Sequence, residues 1–301
     1  MVHLAVTAPP YNTTFAGVIK GASDLLGLRF SGPDCFALSG HGFLINIHQD
    51  LCPSGPYCLD FAPLFGLLSK AGLFVTPLGF FHSGSSLDER TELEEKLNAH
   101  LDKGLPCALM NMEWQLIEGT DDSGFITSQP WDCKDFPPKH LTYGTWEEMG
   151  DEVHASFYLL EKVDPDLRDD HLRDLLRYIL ELHEEPSAFN PLNGYAIGSE
   201  AWLQWRRALP ANVDTHGCWW NGTVWSECRH MACLWLKELG DCRQEPTATQ
   251  AARHYEMVSE QLKAVADKSV PIGSKLAALA MAEEEEILAI EQIRKLLYRI
   301  G

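Results

Sequence analysis

The sequence predicts an α+β domain followed by an all-helical domain. Three observations carry this. A 3.6-residue apolar period opens the chain, strand-like runs then take over up to Val163, and strand signals stop after Asp164. We place the domains at residues 1–163 and 164–301, with the boundary in the turn-rich "VDPD".

Each element has its own signal. Phe15, Val18, Ile19, Ala22, Leu25 and Leu26 form one helical stripe. Asn12, Thr13 or Thr14 can cap that helix, and Gly27 suits its end. Residues 34–50 read as a glycine-punctuated loop with a short strand from Phe43 to Ile47. A short helix is expected from Phe61 to Ala71, then a strand in "LFVTPLGFF". The run "SLDERTELEEKLNAHLDKG" reads as a helix capped by Ser86 or Asp88 and stopped at Gly104. A hairpin follows in "PCALMNMEWQLIEGTDDSGFITSQPW", with "TDDSG" as its turn, and "EVHASFYLLEKV" is a further strand. Helices are expected at about 166–184, 195–208, 220–239, 246–266 and 272–299.

Composition narrows the function classes. The chain has 301 residues, 45% of them hydrophobic, and a formal net charge of −19. An acidic surface repels phosphate backbones and anionic lipid, so neither nucleic acid nor a membrane is an expected partner. Acidic runs such as "AEEEEILAIEQ" read as solvated helix faces. No apolar run reaches the ~20 residues of a membrane span, and the start "MVHLAVTAPPY" lacks a signal-peptide pattern, so a cytoplasmic protein is expected. Nine cysteines without CxxC spacing point to reduced thiols. His216, Cys218, Cys228, His230 and Cys233 have ligand chemistry, but Val224, Cys228, Met231 and Trp235 share an apolar stripe, so no metal or other cofactor is expected.

Three stretches carry a resemblance: "YNTTFAGVIKGASDLLG", "ALSGHGFLINIHQDLCPSGP" and "GLPCALMNMEWQLIEGTDDSGFI". Together they resemble the papain-like family of the butirosin-biosynthesis acyltransferase, related to bacteriocin-processing cysteine peptidases. The resemblance implies a papain-like first domain. It also implies a nucleophilic cysteine at the start of the first helix and a histidine on the strand leading to the "GTDD" turn. Here the cysteine position falls on Asn12 or within one residue of it, and the histidine position near Glu113. An amide is no nucleophile, and a carboxylate disfavours a neighbouring thiolate, so acyl transfer does not carry over.

The remaining residues suggest other chemistry. Glu113, beside Met112 and Trp114, is the expected acid/base group, with His41 orienting it or sharing its proton. Asn12, Thr13, Ser39, His48 and Trp114 are expected to bind substrate, helped by backbone N–H groups at the helix start. His48, followed by Asp50, also reads as a hydrogen-bonded turn. The expected function is a small-molecule enzyme of specialised metabolism, descended from acyltransferases but using carboxylate and histidine chemistry. The alternative is a catalytically silent relative that binds a metabolite or a carrier protein. A third idea keeps cysteine chemistry through Cys58 or Cys35. A homodimer is left open.

Overall fold

The structure is a computed structural model that describes residues 2–131, 136–150, 153–166 and 168–300. In chain order its elements are β1 (Val2–His3), α1 (Thr14–Leu25), α2 (Gly32–Ala37), β2 (Asn46–His48), α3 (Ala62–Ala71), β3 (Leu73–His82) and α4 (Leu87–Leu101). There follow β4 (Cys107–Asn111), β5 (Glu113–Thr120), β6 (Gly124–Thr127), β7 (His140–Thr142), β8 (His154–Lys162) and α5 (Arg168–Glu184). The chain continues through β9 (Tyr195–Ile197), α6 (Ser199–Asn212), α7 (His216–Arg243), α8 (Pro246–Ala266) and α9 (Ile272–Ile300).

The chain divides into two compact units. One holds residues 1–31 and 68–165; the other holds 32–67 and 166–301. The division at 165/166 falls inside the turn-rich "VDPD", but the helical unit also takes Gly32–Leu67 from the first half of the sequence.

The sheet unit is antiparallel throughout, with strand order β3-β8-β4-β5-β6-β7 and β1 paired to β5. Helix α1 packs on β5 through the expected stripe; Phe15, Val18, Ile19 and Ala22 are all 3% exposed or less. At Gly119 a Cβ would lie 2.1 Å from the Val2 carbonyl oxygen, so only glycine lets β1 close against this end of β5. Helix α4 begins with a full capping box. The Ser86 hydroxyl accepts from the Glu89 N–H, and the Glu89 carboxylate accepts from the Ser86 N–H.

In the helical unit, α8 packs along both α7 and α9. The expected loop over 34–50 contains α2 and a 3-10 turn at His41–Phe43, and the strand expected over Phe43–Ile47 is present as β2, shifted to Asn46–His48. Strand β2 pairs with β9, Asn46 opposite Ile197. The stretch "NGYAIGSEAW" continues without an apolar break, which is why the helix is expected to start at 195 and to include β9. The break is conformational: Gly198 has φ +59°, and a Cβ there would lie 1.8 Å from the Leu182 carbonyl oxygen. Helix α7 begins earlier than expected because Thr215 caps it, its hydroxyl accepting from the Cys218 N–H at 3.2 Å.

The acidic run in α9 is not simply a solvated face. Glu283 pairs with Arg206 of α6, Glu285 accepts from His254 of α8 at 2.7 Å, and Glu286 lies 2.6 Å from Arg229 of α7. Consecutive helical residues point about 100° apart, so one short run faces several surrounding helices.

Candidate functional site

The start of α1 and the start of β5 meet inside the sheet unit. Strands β4 and β5 join at Met112, with Asn111 paired to Glu113 across it. Met112 carries the reversal at φ +60° with its side chain 63% exposed. That places Glu113 at the first position of β5, where it is only 7% exposed. Thr14, the first residue of α1, is 1% exposed. Its hydroxyl donates to Glu113 Oε2 at 2.8 Å and accepts from the Trp114 N–H at 3.0 Å. The hydroxyl's proton is therefore committed to a carboxylate, and one of its lone pairs to the sheet backbone. The Trp114 ring packs against Phe15 at 4.9 Å and Tyr158 at 4.6 Å between centroids. Asn111 Oδ1 is buried close by in sequence and has no hydrogen-bond partner among the described residues.

The helix-start residue that reaches Glu113 is Thr14, two positions beyond Asn12. Asn12 is half-buried just ahead of the helix. Thr13 is the buried N-cap residue, although its side chain makes no cap hydrogen bond to the helix. Four polar residues in a row, Tyr11 to Thr14, left the register of this helix start open in the sequence. Nothing in the 3.6 period alone selects among them.

The other expected site residues belong to the helical unit. Ser39 is fully buried; its hydroxyl donates to the carbonyls of Cys35 and Phe36 and accepts from the His41 N–H. It closes the end of α2. His41 is fully buried, 3.6 Å from Cys228 Sγ through Nδ1, with its ring stacked on Trp225. Burial above all, with Arg229 adding to it against a backbone contact to Pro56, lowers its pKa to about 3. His41 is therefore a neutral imidazole at ordinary pH. His48 Nδ1 accepts from the Asp50 N–H at 3.2 Å, and its ring lies 4.8 Å from that of Tyr195.

Cys218 and Cys228 lie in the core of the helical unit with no exposure, and among the described residues no three His, Cys, Asp or Glu side chains converge as a metal site. A cavity of about 410 Å³ opens at the α7–α8 corner, lined by Gly240, Gln244, Thr249 and Arg253 among others. None of these residues carries a site signal in the sequence. Among the described residues no helix is long and apolar enough to cross a membrane.

No protein-family model and no curated protein matches the chain. The chemistry available at Thr14 and Glu113 thus stands on geometry. A buried hydroxyl held by a carboxylate and a backbone N–H is positioned to fix a helix against a strand. Its oxygen is not presented for attack on a substrate.

Proposed function

We propose that the chain is a papain-like relative in which the nucleophile and histidine positions have become Thr14 and Glu113. In this reading it binds a cytoplasmic small molecule, free or on a carrier protein, without accepting an acyl group from it. The supporting observation is the Thr14 hydroxyl, 1% exposed and held between Glu113 Oε2 and the Trp114 N–H. The test uses an acyl thioester and intact-mass measurement. The native protein is expected to take no acyl adduct. The double variant Thr14→Cys/Glu113→His is expected to take one, faster than Thr14→Cys alone. An acyl group on Thr14 of the native protein overturns the silent reading. A double variant no more reactive than Thr14→Cys overturns the positional reading.

A second reading keeps Glu113 as the acid/base group of a small-molecule enzyme of specialised metabolism. Two observations favour it: Glu113 is a buried carboxyl, and two residues away lies Asn111 Oδ1, buried without a hydrogen-bond partner among the described residues. Glu113→Gln with unchanged turnover of a substrate removes it.

A further inference from the structure

The way α7 and α8 close on each other makes the cavity at their corner. Ala248, Ala251 and Ala252 of α8 are all 2% exposed or less, and such small side chains let two helices lie close. At Gly240 a Cβ would lie 2.4 Å from the Thr249 hydroxyl oxygen and 3.0 Å from the Thr249 nitrogen, so only glycine admits the approach. Gln244 then ends α7 in the left-handed region at φ +53°, its N–H donating to the Gly240 carbonyl. The chain turns there into Glu245 and Pro246, which open α8. Beside this contact lies the cavity of about 410 Å³. That is within the range of small-molecule sites, about 300–1,000 Å³.

The charged groups lining the cavity differ in what they already hold. Glu245 is committed. Its carboxylate accepts from the Thr247 N–H at 3.2 Å, from the Thr247 hydroxyl at 2.7 Å and from Arg299 of α9 at 2.8 Å. Asp241 of α7 and Arg253 of α8 line the same cavity but do not pair with each other. Among the described residues neither side chain has a hydrogen-bond or ion-pair partner. Gln250 stands three residues before Arg253, which puts both on one face of α8.

This pattern selects the charge of a ligand. A plain anion drawn to Arg253 also meets Asp241, and a plain cation drawn to Asp241 also meets Arg253; each is opposed by its own sign. A molecule that carries both charges meets an opposite charge at each end. The guanidinium is a planar fork of donors that matches a carboxylate, and a carboxylate accepts readily from an ammonium. The Gln244 and Gln250 amides supply both donors and acceptors for the rest of the molecule.

We propose that this cavity binds an α-amino acid, with its carboxylate on Arg253 and its ammonium on Asp241. The site belongs to the helical unit, whereas Thr14 and Glu113 belong to the sheet unit. The experiment is equilibrium dialysis of the full-length protein against an equimolar mixture of the proteinogenic α-amino acids at millimolar concentration, read by mass spectrometry. At least one amino acid is expected to be retained above its free concentration. Its N-acetyl derivative, which lacks the ammonium, and its primary amide, which lacks the carboxylate, are each expected to bind about tenfold more weakly. Arg253→Gln and Asp241→Asn are each expected to weaken retention about tenfold. Their circular dichroism should be unchanged, because neither side chain holds another part of the protein. Retention of no amino acid by the native chain overturns the proposal. So does retention that both substitutions leave intact, or that acetylation leaves undiminished. Retention lost in Glu113→Gln but kept in Arg253→Gln assigns the amino acid to the sheet unit and overturns it as well.

Discussion

His41 shows how one residue type reads differently once its surroundings are known. In the sequence it stands between glycines in a loop, which suits a proton-sharing role. In the structure it has no exposure, and its pKa falls from 6.5 to about 3. The folded-state pKa lies below the unfolded one, so below pH 6.5 the unfolded chain takes a proton that the folded chain refuses. Stability is then lost as pH falls, by about 1.4 kcal/mol per unit over the window between the two values. We expect urea unfolding to show His41→Gln with a shallower acid limb than the native protein. The difference between pH 6.5 and pH 5 should be about 2 kcal/mol. Equal pH slopes would show that His41 does not titrate across unfolding. Thr14 is the complementary case. Its helix was legible from Phe15, Val18, Ile19 and Ala22, but the contact with Glu113 depends on a pairing 99 residues away in sequence. Local caps cannot encode such a pairing.

At the level of elements, what the sequence revealed tracks how local each signal is. Helix α4 was readable to its cap because Ser86 and Glu89 complete a box within one turn. Strand β2 was only partly readable because its partner β9 lies about 150 residues on. The glutamates of α9 were misread for the same reason. Glu286 is 4% exposed and faces Arg229, which itself has no exposure and donates to the carbonyls of Gly42 and Leu44. Burial raises the Glu286 pKa, and Arg229 works against that rise. Removing Arg229 strands both the carboxylate and the two carbonyls. Arg229→Met should therefore cost about 3–5 kcal/mol. The double change Arg229→Met/Glu286→Leu should cost clearly less than the sum of the two single changes. Additive costs in urea melts would mean that the two side chains are not coupled.

For the whole molecule, the order α+β then helical is visible in the sequence, and so is the turn where the second run of helices begins. What the sequence hides is the excursion of Gly32–Leu67 into the helical unit. Its apolar residues Phe36, Phe43, Leu44 and Ile47 read as an ordinary part of the first domain, yet all are 3% exposed or less with partners from the later helices. A fragment of residues 166–301 should therefore fail to give a cooperative unfolding transition by circular dichroism. It lacks β2, the partner of β9, and the carbonyls that Arg229 holds. A fragment that melts as sharply as the full chain would show that the insertion is dispensable.

The same excursion bears on how the protein is made. Ribosomal synthesis delivers residues 32–67 well before α6 and α7, which hold them. The sheet unit's last strand, β8, emerges first. During that interval Phe36, Phe43, Leu44 and Ile47 remain uncovered on a nascent chain, a stretch that a chaperone would bind. A slower passage through the codons of α5 and α6 would lengthen that exposure.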